Sequence, residues 1–143
     1  MKDKPRFNHV AMSVPADLLD EQGRADILAF YNEVFDWSEA PGQTIDRKRL
    51  VLLAYEYDQF VFLIAEDEPM KAPRLDHFGM RVHDLDDLDE MLAKAKAYKE
   101  KDDRVDIVDK TVEDYEVLKI HSFYVGYRLP MMVEVQYWEM ANS

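Results

Sequence analysis

Two histidines stand at matching places in a repeated nine-residue phrase. RFNHVAMSV, Arg6 to Val14, returns as RLDHFGMRV, Arg74 to Val82. Arg6/Arg74, His9/His77, Met12/Met80 and Val14/Val82 are identical, and Phe7/Leu75, Asn8/Asp76, Val10/Phe78 and Ala11/Gly79 are conservative exchanges. The offset is constant, 77 − 9 = 68. A duplicated module related by a pseudo-twofold axis places such a pair in related positions, one way for a small fold to bring two metal ligands together. Neutral imidazole nitrogens suit Fe(II), Mn(II), Zn(II) or Ni(II). The plainer reading leaves both histidines as polar strand residues of a metal-free binder.

A third histidine, His121, sits mid-strand in KIHSFYVGY. Facing inward it would exchange protons with a bound substrate, because imidazole titrates near neutral pH. Facing outward it would be an ordinary hydrogen-bonded strand residue, and the pattern alone leaves the direction open. DLDDLDE, Asp84 to Glu90, has leucines at helical spacing and lacks the glycine and ordered oxygen positions of a calcium loop, so it reads as a solvated helix face. No phosphate loop, dinucleotide fingerprint or serine-hydrolase elbow is present.

The elements that must carry these residues follow from periodicity. Phe7 to Val14 alternates as a half-buried strand, with Phe7, His9, Ala11 and Ser13 on one face. Pro15 to Gly23 reads as a loop, and Asp26 to Trp37 as a helix with Ile27, Phe30, Tyr31, Val34 and Phe35 at helical spacing. Glu39 to Gln43 breaks the pattern at Pro41 and Gly42, and a strand near Thr44 is poorly defined. Arg49 to Tyr57 and Phe60 to Ala65 suggest a hairpin turning tightly at Asp58-Gln59. Glu66 to Pro73 is a charged linker.

The order then repeats: a strand over Leu75 to Val82, a helix over Asp84 to Lys99, a short strand over Arg104 to Asp109, and a hairpin of Glu116 to Gly126 with Met131 to Trp138 around Tyr127 to Pro130. The chain of 143 residues thus reads as one α+β domain, 1–143, made of two βαβββ modules, 1–68 and 69–143.

Composition narrows the function. With 30 acidic against 18 basic residues, a net charge of −12 repels phosphate backbones and anionic membranes, so neither nucleic acid nor a membrane is the expected partner. Cysteine is absent, which excludes disulfides, zinc–thiolate sites and cysteine nucleophiles. The polar start MKDKPRFN is no signal peptide and no stretch is apolar enough to span a bilayer; a cytoplasmic protein is expected.

NHVAMSV, FYNEVFDW (Phe30 to Trp37), DHFGMRV and MVEVQYW (Met132 to Trp138), in this order, resemble the vicinal oxygen chelate superfamily, the glyoxalase, bleomycin-resistance and extradiol-dioxygenase group. The resemblance implies a curved open barrel of two βαβββ modules, a small-molecule ligand or substrate, and a homodimer. It places metal ligands at His9, His77 and Glu134. The equivalent of Glu134 in the first module, from aligning FVFLI with MVEVQ, is Phe62, which cannot bind a metal.

Two histidines and one carboxylate leave open positions for a substrate with two neighbouring oxygens. Dioxygenase, isomerase or lyase, and thiol-transferase chemistries share that beginning. The alternative is a metal-free sequestering protein of bleomycin-resistance type. Around the ligands, Arg81, Phe62, Tyr124, Gln136 and Trp138 are candidate substrate-binding residues and His121 the candidate catalytic one. For Arg81 a structural ion pair is the competing expectation.

Overall fold

In the computed structural model, which describes residues 2–42 and 46–141, the chain divides into two compact units at Met70/Lys71. The strand expected near Thr44 lies outside the described residues.

The first unit opens with β1 (His9–Val14), continues through a 3-10 turn (Ala16–Leu19) into α1 (Glu21–Phe35), and ends with β2 (Ser38–Glu39), β3 (Arg49–Leu53) and β4 (Phe60–Ala65). Its sheet runs β1-β4-β3-β2, with β1 parallel to β4 and the other pairs antiparallel. The second unit has β5 (His77–Val82), α2 (Leu85–Lys101), β6 (Asp106–Asp114), β7 (Leu118–Gly126) and β8 (Met132–Met140). Its sheet runs β5-β8-β7-β6, with β5 parallel to β8. The expectation of two βαβββ modules in an α+β chain is met in element order.

Helix α1 starts earlier than its apolar spacing suggests. Asp20 caps it, accepting from the Gly23 amide at 2.7 Å. Gly23, expected in a loop, is inside the helix, and a Cβ there would lie 2.0 Å from the Leu18 carbonyl oxygen. The glycine lets the first turn press against the preceding 3-10 turn. At the other end Asp36 takes a left-handed conformation and stops the helix short of Trp37. Trp37 turns back and stacks on Tyr31 and Phe35, with centroids 5.3 and 5.1 Å apart. Helix α2 has no such glycine. Asp84 caps it through the Asp86 amide at 2.8 Å, and Lys99 and Lys101 sit in its last turn, where the dipole favours cations.

Each sheet buries one face. In the first unit Met12, Val14, Leu50, Leu52, Val61 and Leu63 join Ile27, Phe30, Tyr31 and Val34 of α1 in the core. In the second, Phe123, Val125, Val133 and Val135 pack with Leu88, Leu92 and Ala95 of α2. Each fully buried large apolar side chain stabilises the fold by roughly 1.5–3 kcal/mol.

Two strand expectations are corrected. The first hairpin does not turn at Asp58-Gln59. β3 ends at Leu53, Tyr55 takes a positive φ of 77°, and the Ala54 amide closes the loop on the Gln59 carbonyl at 2.8 Å. Asp-Gln lacks the residue types that favour positive φ in a two-residue turn. Strand β6 runs to Asp114 rather than Asp109, passing an irregularity between Val108 and Thr111 that the alternation pattern hides.

The second unit carries one further lock. The Tyr127 hydroxyl donates to Asp102 Oδ2 at 2.6 Å, and Arg104 donates to both Asp102 oxygens at 2.9 and 2.7 Å. Arg104 holds the Asp102 carboxyl well below the usual carboxylate range, and burial together with Asp102 pushes the Tyr127 hydroxyl well above its own. The end of α2 is thereby tied to the β7–β8 turn.

Candidate functional site

Residues directly opposite in a ladder share a face, and the face alternates along each strand. In the second unit Gly79 lies opposite Glu134, and Glu134 opposite Tyr124. His77 is one side-chain repeat before Gly79 on the same face, away from the packed valines. Glu134 is therefore the buried acid of this face, 7% exposed.

Its surroundings are polar and ordered. Gln136 Nε2 donates to Glu134 Oε1 at 2.9 Å, and Trp138 Nε1 donates to Gln136 Oε1 at 2.8 Å. The Tyr124 hydroxyl also bonds Glu134; burial first, then this bond, raises the pKa of that hydroxyl above the ordinary tyrosine value.

His77 completes the group. Its Nδ1 lies 2.8 Å from the Leu75 carbonyl oxygen. A carbonyl only accepts, so Nδ1 carries the proton. In the neutral ring Nε2 then presents a lone pair, and it stands 3.5 Å from Glu134 Oε1. Two electron-pair donors face one another across a gap that a cation or a proton can fill. Tyr124 packs edge-on against the same imidazole at 4.9 Å.

The first unit repeats the histidine but not its neighbours. His9 Nδ1 bonds Asn8 Oδ1 at 2.6 Å, again leaving Nε2 as the ring's outward nitrogen. The imidazole stacks on Phe60 at 4.7 Å with planes 2° apart. Phe62 stands opposite Ala11 and Val51. It thus holds the ladder position that Glu134 holds opposite Gly79 and Tyr124. With Ala40, Pro41, Val51, Leu53, Tyr57 and Phe60, Phe62 lines an apolar pocket of about 590 Å³. Among the described residues, neither unit by itself gathers three His, Asp or Glu side chains at metal-holding spacing.

No family model and no curated protein sequence matches the chain. Solved structures do. A putative glyoxalase family protein from Bacillus anthracis is 17% identical, with 96% of this chain and 98% of that chain covered and a TM-score of 0.63. Lactoylglutathione lyase from Agrobacterium tumefaciens is 16% identical, with 95% and 96% covered and a TM-score of 0.63. A genomically encoded fosfomycin resistance protein from Listeria monocytogenes is 13% identical, with 94% of each chain covered and a TM-score of 0.61.

The chain has the glyoxalase fold. The expected resemblance to the vicinal oxygen chelate superfamily is thus met in architecture, over nearly the whole chain.

Within this glyoxalase fold the structure brings His77, Tyr124, Glu134, Gln136, Trp138 and Arg81 to one face of one sheet. It separates His121 from them. His121 is opposite Val112 and Tyr137, and its side chain projects to the other face from Glu134. Among the described residues both of its ring nitrogens are buried without a hydrogen-bond partner, and Nε2 is 3.6 Å from Glu139 Oε1. Register settles this direction. Tyr124 pairs with Glu134 and shares its face, and His121, three residues earlier on the same strand, falls on the opposite one.

Ser13, on the face of His9, spends its hydroxyl on the Met70 amide at 2.7 Å. A larger groove in the second unit, about 1040 Å³, is lined by Asp114, Lys119, Tyr137 and Glu139 among others and includes none of the expected site residues. Sequence reasoning missed the groups that orient the two histidines. Asn8 is visible beside His9, but its counterpart Asp76 does not play the same part; the Leu75 backbone does. A backbone carbonyl carries no residue-type signal.

Proposed function

We propose that the protein is a divalent-metal enzyme of small-molecule metabolism, with His77 and Glu134 holding the ion together with His9. The observation that carries this reading is the facing pair in the second unit: a histidine with its Nδ1 proton committed to a carbonyl, and its Nε2 toward a buried carboxylate. Metal-ligating histidines are oriented in this way by a second hydrogen bond. The donor set of imidazole and carboxylate fits Fe(II), Mn(II), Zn(II) or Ni(II).

When bound, such an ion would supply Lewis-acid stabilisation of charge developing on two neighbouring substrate oxygens. The chain's own residues do the rest. Gln136 fixes the Glu134 carboxylate. Tyr124 keeps a protonated hydroxyl beside that carboxylate, available as a donor. The apolar pocket of the first unit, taken by itself, suits hydrocarbon or aromatic surface of a small molecule. Dioxygenation, isomerisation or lyase chemistry, and thiol transfer all fall within this reading. It takes the protein as a cytoplasmic homodimer.

A second reading rests on that apolar pocket: a metal-free protein that sequesters a small molecule, with His77 and Glu134 as an ion pair. Metal content decides between them. Protein purified without a histidine tag, beside the His77→Ala variant, is expected to carry near-stoichiometric Fe, Mn, Zn or Ni that the variant loses. No metal, even after anaerobic loading with Fe(II) and Mn(II), sinks the enzyme reading. Ligand binding that survives His9→Ala and His77→Ala then identifies a sequestering protein.

A further inference from the structure

Arg6, Arg49, Arg74 and Arg104 each hold a carboxylate. Arg81 does not. Among the described residues it makes no hydrogen bond and no ion pair, in a chain with 30 acidic side chains. Its guanidinium carbon instead lies 4.4 Å over the Trp138 ring. The structural ion pair expected for this residue is absent among the described residues.

We propose that Arg81 is an oxyanion subsite, taking the carboxylate or phosphoryl group of a small-molecule ligand. Its platform is held in place: Trp138 donates to Gln136, and Gln136 donates to Glu134. An arginine resting on an aromatic face is pre-positioned, and its fork of N–H donors matches two oxygens of one anion.

The row of the sheet to which Arg81 belongs contains Gln136, Ser122 and Thr111 and no acid. The row on one side holds Glu134, whose Oε1 takes the Gln136 amide, and the row on the other holds Glu113, whose carboxylate takes the Tyr115 hydroxyl. Both carboxylates are engaged elsewhere, and among the described residues neither forms an ion pair with Arg81. Arg81 lies two residues beyond Gly79, the partner of Glu134, and its guanidinium rests over Trp138, four residues beyond Glu134, so the subsite is displaced along the strands from Glu134 by about 7–13 Å. Resting on the proposed function for its other end, the inference specifies the ligand class: two neighbouring oxygens at one end and an anionic group roughly one to two side-chain repeats away.

The two tryptophans make the test local. Trp138 reports the subsite, and the buried Trp37 of the first unit serves as the reference. Protein freed of metal with EDTA is titrated with inorganic phosphate and, separately, with malonate at constant ionic strength, following both indole N–H signals by NMR. The Trp138 signal should shift saturably while the Trp37 signal stays. Arg81→Gln should weaken binding at least about tenfold, the loss expected for a charged hydrogen-bonding group, and Arg81→Lys should recover part of it. The tighter anion identifies the group as phosphoryl or carboxylate. No saturable shift with either anion, or equal binding by Arg81→Gln, overturns the subsite. Because the protein is metal-free, an Arg81-dependent response in a chain that never binds metal overturns the metal reading alone.

Discussion

His9 and His77 sit at the same ladder position of two units with the same strand order, yet they keep different company. Beside His9 are Phe60, Phe62 and Ile64; beside His77 are Met132, Glu134 and Gln136. One face became an apolar pocket and the other a hydrogen-bonded polar chain ending at Trp138, on which Arg81 rests. The backbone treats the two alike, since both sets of residues lie on strands parallel to the histidine strand. Ladder position fixes which side chains meet, and residue type alone decides what the meeting can do.

The largest expected effect comes from removing the residue that distinguishes the units. Glu134→Gln keeps the shape but loses the charge, and affinity for Mn(II) or Zn(II) should fall at least about 100-fold, or about 2.7 kcal/mol. Phe62→Leu, its counterpart, should leave metal affinity unchanged. Isothermal titration of both variants checks this, and equal losses would break the comparison.

Next in size is Gly23→Ala. The added Cβ would meet the Leu18 carbonyl, so the first unit must shift, and a destabilisation of roughly 2 kcal/mol is expected in urea unfolding. A stability equal to wild type would mean that the helix start adjusts freely.

The smallest effect belongs to the lock in the second unit. Tyr127→Phe should cost about 1 kcal/mol. Its pH dependence has a definite sign. The Asp102 pKa is lowered in the folded chain, chiefly by the Arg104 hydrogen bond, so its contribution is present above the unfolded carboxylate pKa. It is lost as pH falls below about 4. Thermal unfolding across that range should show a flatter acid decline in Asp102→Asn than in wild type.

The repeat, the strand faces and the equivalence of Phe62 with Glu134 could be read from the sequence because alternation and a duplicated phrase are both local signals. The direction of His121 could not, since it depends on which residue of β7 pairs with Glu134, a fact of register rather than of pattern. The start of α1 was hidden because Gly23 reads as a breaker, whereas here the close approach of Leu18 demands it. The two-residue turn at Asp58-Gln59 failed because apolar character continues past Leu53 while the strand does not. The lack of a counter-ion at Arg81 required knowing where the acids lie.

Strand β6 ends its sheet, and along it stand Asp106, Asp109, Lys110, Glu113 and Asp114. An open sheet edge is a template on which another chain can add a strand, and charges along it oppose that addition. The acidic excess that says little about catalysis thus has a colloidal consequence. Near the isoelectric point, or with these acids neutralised, this edge loses the charge that opposes strand-by-strand self-association.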